Sequence, residues 1–333
     1  MIMSIVKSTT YAPDVFKALN GVLLVYKPPR LSVGQLINEL KDRITDSLNH
    51  YEPRPIEKRV VIEGDIDSEK RIVERPNLAD HPLVAGPRYL PWDLRLSPAQ
   101  PSLGYRSSGL DVIMMGTANK YYRTKLTSNK LVSIYHITGR FGYVTDNFFY
   151  DGKITDKSTY GHIRPGKIDS VLARIESSQH DRIFDSAAVP LNSEEAYQLA
   201  KDWPSRPPKM AKWPVIYRIR CIHLKLPIFK LEVTIVNETE NLLAQIPHDV
   251  GQMLRSAAYT ESIRRVKFGP FDVIDSLTDK DWDLQSIIKH FSAYLEDHHK
   301  VTNLIDAHIN SFAVRSEHTV PTNRNESSSS KRA

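Results

Sequence analysis

The run from Gly104 to Gly116, Gly-Tyr-Arg-Ser-Ser-Gly-Leu-Asp-Val-Ile-Met-Met-Gly, constrains this chain more than any other stretch. Ser107, Ser108 and Gly109 are turn formers, and Val112 to Met115 is a short apolar run of the kind that fills a buried strand. One carboxylate, Asp111, stands where turn becomes strand. A carboxylate there must be exposed, paired or put to chemical use, because burying it alone is costly. The stretch therefore asks for a sheet around it and for a partner for its charge.

The rest of the chain supplies the sheet. Gly21 to Tyr26 is an apolar strand that Lys27-Pro28-Pro29 ends, since two prolines cannot continue a ladder. Ser32 caps a helix from Val33 to about Leu48, whose Val33, Leu36, Ile37, Leu40 and Ile44 fall on one face. Residues 49 to 103 are polar, charged and rich in proline, with one strand candidate at Arg59 to Ile62. Pro91, Pro98 and Pro101 predict an irregular surface insertion at about 88–103. Val132 to Gly142 reads as a strand, Pro165 to Ser178 as a helix, and Ser193 caps a second helix over Glu194 to Trp203. Tyr217 to Leu226 and Phe229 to Val236 are strands. In the latter, Phe229, Leu231, Val233 and Ile235 alternate with Lys230, Glu232 and Thr234. Asn241 to Leu254 is a helical pattern interrupted by Pro247, Glu261 to Phe271 a closing strand, and Trp282 to Leu295 a last helix. Strands and helices alternate irregularly, which predicts an α+β fold with a mixed, largely antiparallel central sheet flanked by helices. The polar tail from 310 to 333 predicts disorder.

Composition narrows the class. A hydrophobic share of 41% and a charged share of 25% suit a globular protein, and no apolar run approaches the length of a membrane span. The single cysteine, Cys221, excludes an internal disulfide and argues for a reducing compartment. The net charge of +6 permits nucleic-acid binding without requiring it. Twelve histidines are scattered with no metal-ligand spacing. The first twenty residues hold Lys7, Lys17 and Asp14 and no arginine, unlike an Arg-rich, acid-poor mitochondrial presequence.

Several motifs in series resemble the TruB-type RNA pseudouridine synthases, and most closely their mitochondrial, type 2 branch. These are the Lys27-Pro28 turn, His81-Pro82-Leu83-Val84-Ala85-Gly86-Pro87, the Gly104–Gly116 loop, Gly142-Tyr143-Val144-Thr145-Asp146, and Arg264-Arg265 before Gly269-Pro270-Phe271. The resemblance spans roughly residues 21–290. It implies the pseudouridine synthase fold for 21–295, RNA as partner, no cofactor and no metal, and a mitochondrial location; without it, the cytoplasm or nucleus is as consistent. Residues 1–20 become a candidate targeting segment.

The family reaction detaches uracil from its ribose, turns it and rejoins it through carbon. It needs an extruded nucleotide, an ionised aspartate at the sugar, an aromatic ring on the base and an arginine beside the aspartate. The resemblance assigns Asp111 to the catalytic carboxylate and Tyr135 to the base-stacking ring. It puts Lys27, Arg106, Arg264 and Arg265 on the RNA side. Arg206, Lys209 and Lys212, in a Pro- and Trp-rich loop at 204–214, are placed to touch phosphates, or else form a solvated loop.

The loop admits two alignments. In one, Leu110-Asp111 is the catalytic pair and Gly116 keeps the family spacing. In the other, Ser108-Gly109 matches the element that follows the catalytic aspartate, so that pair is deleted and Arg106-Ser107 stand in its place. The second preserves the Gly104-Tyr105-Arg106 lead-in and the strand length. Counting back from Asp249-Val250-Gly251 puts Ala244 at the family's arginine position, and Ser133 stands where the family tends to carry a lysine. Two expectations follow: an RNA pseudouridine synthase with a degenerate site, or a non-catalytic RNA-binding or assembly factor for mitochondrial RNA.

Overall fold

Local chemistry sets the elements in order. The structure, a computed structural model, describes residues 10–308 apart from 64–69, 129–130, 188–189, 191, 196, 199–213 and 295–300. Helix α1 spans Ala12–Ala18 and strand β1 Gly21–Lys27. Ser32 caps α2, Val33–Asn49, through a reciprocal box with Gln35. Lys58–Glu63 (β2) and Arg71–Pro76 (β3) form a separate two-stranded ribbon that leaves Val60, Ile62 and Ile72 exposed. Leu96–Pro98 is β4 and Ser108–Met115 is β5. Then come α3 (Ala118–Ser128), β6 (Ser133–Phe141), β7 (Tyr143–Thr145), β8 (Ile154–Lys157) and α4 (Pro165–Ala187). The chain continues through β9 (Val215–Lys225), β10 (Ile228–Val236), α5 (Glu240–Met253), β11 (Ala258–Phe268), β12 (Phe271–Asp272) and α6 (Leu284–Tyr294).

The central sheet runs β1-β5-β11-β6-β10-β9, with β4 and β12 attached to β5 and β11. All pairings are antiparallel except β5 with β11. This is the mixed, mostly antiparallel α+β arrangement that the sequence predicts. Its two halves differ in burial. β1 and β5 are covered on both faces: Leu23, Val25, Ile113 and Met115 pack on α2 and α6, and Leu110, Val112 and Met114 pack with Ala118, Tyr122 and Leu126 of α3. That is why both strands read as continuous apolar runs. β6 and β10 are covered on one face, where Tyr135, Ile137, Phe229, Leu231 and Val233 meet α4 and α5. Their other face is open, so their sequences alternate.

Some expectations change. The segment 88–103 contributes to the sheet through β4, and Leu94, Ala99 and Leu103 are buried, so it is not wholly a surface loop. Helix α5 continues through Pro247, whose ring lies on the buried face; Gly251 lets the helix approach Ala258 of β11 closely. Much of the helix expected over Glu194 to Trp203, the loop with Arg206, Lys209 and Lys212, and the tail from 310 lie outside the described residues.

The feature that positions the site is the shared edge of β5. Away from β1, β5 pairs with β11 only at Ser108 and Gly109, and then with β4 from Ile113 to Met115. The two neighbours diverge between these points, exposing polar backbone groups that a buried sheet has to satisfy. Gly109 has φ of +111° and lies against the Arg265 backbone, so a side chain there would collide with β11.

Candidate functional site

Arg265 fills the divergence. Its Nε donates to the Leu110 carbonyl at 2.7 Å and its Nη1 to the Pro101 carbonyl at 2.7 Å. Its Nη2 donates to Asp111 Oδ1, also at 2.7 Å. Arg265 is 1% exposed and Asp111 0%. The guanidinium thus satisfies two carbonyls of the sheet's split and the one charge of β5 together. Burial pushes the Asp111 carboxyl up from its ordinary range, and Arg265 opposes that shift.

A second buried pair adjoins this one. Tyr135 is 2% exposed, faces Arg265 in the β6–β11 register, and donates its hydroxyl to Glu238 Oε1 at 2.8 Å. Burial holds the Tyr135 hydroxyl well above its ordinary range and raises the Glu238 carboxyl. Lys27 closes the cluster: its Nζ donates to the Pro28 carbonyl at 3.0 Å and the Leu31 carbonyl at 2.7 Å. Burial lowers its pKa to about 8 despite the charges of Asp111 and Glu240.

The sequence-derived site residues therefore separate into two groups. Asp111, Tyr135, Lys27 and Arg265 come together, but beneath the surface. Asp111 offers a substrate no exposed atom, the Tyr135 ring lies in the core, and Lys27 and Arg265 spend their donors on backbone carbonyls and, for Arg265, Asp111. Sequence reading missed Arg265 as the partner of Asp111, having sought it at Ala244. Ala244 is fully buried on α5, and its carbonyl accepts from Thr260 Oγ1 at 2.7 Å. The signal was the parallel pairing of Arg265 with Gly109, which spacing along the chain does not reveal.

Arg106 and Arg264 belong to the surface. The 104–107 turn is tied to the start of α5 by Glu240. Glu240 Oε1 accepts from the Arg106 amide at 2.6 Å and from Ser107 Oγ at 3.1 Å. Gly104 suits the turn because a β-carbon there would overlap the Glu240 side chain. The Arg106 side chain pairs with Asp151 at 3.0 Å and stands over the Phe149 ring at 5.0 Å. Beside it opens a cleft of about 530 Å³, lined by Arg30, Arg106, Ser108, Tyr150, Tyr259 and Glu261, among others. Arg30 donates to the Tyr150 hydroxyl at 3.0 and 2.6 Å. The cleft borders the open face of the sheet, where Arg264, His136, Glu232 and Arg220 align across β11, β6, β10 and β9. Glu232 Oε1 binds Arg220 at 2.7 Å, and Arg264 lies over the Tyr26 ring at 5.5 Å. Aromatic rings, guanidinium groups and an open sheet face suit stacked bases and phosphates. Among the described residues no group of His, Cys, Asp and Glu could hold a metal, and no helix is long and apolar enough to cross a membrane.

Comparison with known proteins places this arrangement. Residues 102–240 match the family described as TruB family pseudouridylate synthase, N-terminal domain, a span that starts just before the Gly104 turn and ends at Glu240. The chain is 33% identical over 284 residues to the mitochondrial pseudouridylate synthase TRUB2 of Xenopus tropicalis, covering 83% of this chain and 86% of that protein. It is 30% identical to the human protein of the same name, covering 81% and 82%. A bacterial tRNA pseudouridine synthase B, from Endomicrobium trichonymphae, is 25% identical over 53% of this chain and 74% of its own length. Among solved structures, a Cbf5-Nop10-Gar1 complex aligns at TM-score 0.43 and 12% identity, covering 84% of this chain and 57% of that one. The chain therefore belongs to the TruB family of pseudouridylate synthases, on the branch of the mitochondrial TRUB2 proteins.

Proposed function

We propose that this protein binds mitochondrial RNA in the Arg30–Arg106 cleft and on the adjoining sheet face with Arg264, and that it has given up uridine isomerisation, acting as a binding or assembly factor for messenger, ribosomal or transfer RNA. One observation carries the second half. Asp111 is the only carboxylate that the Gly104–Gly116 stretch contains, and it is wholly buried and bonded to Arg265. A group that attacks or deprotonates a ribose must reach it within about 3 Å. Where the loop is shortened, the turn offers Arg106 and Ser107, held by Glu240. The mitochondrial location is supported by the names of the relatives.

In this reading RNA lies on the open sheet face. Arg106 and Arg264 neutralise phosphates, while Tyr150 and Tyr259 accept bases. Such stacking contributes roughly 1–3 kcal/mol per base. A second reading, retained isomerase activity, has one observation in its favour. The ion pair of Asp111 with Arg265 at 2.7 Å is the charge pairing that the family chemistry needs. It requires the edge of β5 to open so that the carboxylate meets a flipped uridine. The two readings part on one measurement: chemical mapping of pseudouridine in RNA treated with the pure protein. Binding without product supports the first; product that disappears with Asp111→Asn supports the second.

A further inference from the structure

A second cavity, of about 440 Å³, opens at the other end of β5, beside Met115 and Gly116. The cleft at Ser108 lies seven residues back along the strand, on the order of 20 Å away. The volume falls within the usual range for small-molecule sites.

Its lining combines three chemistries. Arg95 and Lys120 bring positive charge and make no ion pair among the described residues. Arg123 follows Lys120 by one turn, and α3 contains no acidic residue. Phe16 and Tyr121 bring aromatic surface, and Phe16 is braced by the Tyr89 ring at 5.1 Å. Asp93 brings one carboxylate, fixed where its Oδ2 accepts from the Leu90 amide at 2.9 Å.

The walls are also built rather than loose. Asn119 Nδ2 donates to the carbonyls of Arg95 at 2.9 Å and Gly116 at 3.2 Å, tying the approach to β4 to the start of α3. Asn20 Oδ1 accepts from the Thr117 amide at 2.7 Å, tying in α1. Unpaired cations at the rim suit a phosphate, aromatic faces suit a base, and a fixed carboxylate suits a ribose diol.

We propose that this cavity is a nucleotide site, separate from the cleft, that takes a ribonucleoside phosphate with the phosphate on Arg95 and Lys120 and the ribose on Asp93. The phosphate can arrive as a free nucleotide or as the 5′ end of an RNA strand. The site does not depend on how the cleft functions.

Two titrations of the full chain distinguish these sources: uridine monophosphate by calorimetry, and a short RNA with and without a 5′-phosphate by fluorescence anisotropy. The double variant Arg95→Ala/Lys120→Ala, at exposed positions, weakens the relevant ligand by at least about tenfold. Asp93→Asn, which keeps an acceptor for the Leu90 amide, erodes the preference for uridine monophosphate over its deoxy form. Loss in the nucleotide titration identifies a free nucleotide; loss confined to the 5′-phosphorylated RNA identifies a strand end. Equal affinities of wild type and double variant for every ligand overturn the proposal. So does loss of uridine monophosphate binding in Arg264→Ala but not in the double variant, which would place the nucleotide in the cleft.

Discussion

Asp111 and Arg265 are best understood as a pair whose members are unequal to one another's loss. Removing one partner of a buried ion pair leaves an uncompensated charge and costs about 3–5 kcal/mol. Asp111→Ala is therefore expected to destabilise the fold by that order, measured by denaturant unfolding. Arg265→Ala is expected to cost at least as much, because it also abandons the Leu110 and Pro101 carbonyls. If either substitution is tolerated within about 0.5 kcal/mol, as at an ordinary surface site, the structural role assigned to the pair is wrong. Lys27 gives a pH signature. Its folded pKa of about 8 lies below the ordinary 10.5. Between those values the unfolded chain holds more protons, so Lys27 makes stability rise with pH across the window. The stability difference between wild type and Lys27→Met, followed by thermal melts from pH 7 to 11, is expected to show that rise; a difference flat in pH contradicts it.

At the scale of elements, what was legible tracks how local the determining physics is. The capping box of Ser32 and Gln35, the alternation in Phe229–Val236 and the double burial of Val112–Met115 are written in consecutive residues, and each element forms as read. Helix α3 was missed because its sequence is polar and, among its described side chains, commits only Ala118, Tyr122 and Leu126 to the core. The β5 edge, shared between β11 and β4, is a long-range pairing that no local pattern encodes. So the residues of the site were legible but their arrangement was not: Asp111 and Arg265 are 154 positions apart. The turn at 104–107 makes its own prediction. Glu240→Ala removes the acceptor for the Arg106 amide and Ser107 hydroxyl, so amide exchange at Arg106 is expected to speed up by about tenfold or more for a lost bond near 1.4 kcal/mol. Unchanged exchange would mean that Glu240 does not hold the turn.

At the scale of the whole molecule, the sheet divides labour. One half, β1 with β5, is buried on both faces, and the polar cluster lies where it meets β11 and β6. The other presents an open face with Arg264, His136, Glu232 and Arg220 in register beside the Arg30–Arg106 cleft. RNA bound on that face, as proposed, is held electrostatically in large part, and each phosphate contact adds about 0.7 to the slope of log affinity against log salt for a single strand. Arg106→Ala and Arg264→Ala are each expected to weaken binding and to lower that slope by about this amount, read by anisotropy at several salt concentrations. Slopes equal to wild type would remove both residues from the interface. The central claim, that the fold grips RNA while its aspartate is walled off, is tested most directly by pseudouridine mapping on mitochondrial RNA incubated with the purified protein under conditions where it binds. The account predicts bound RNA with no new pseudouridine; pseudouridine that forms with wild type and is absent with the shape-conserving Asp111→Asn would contradict it.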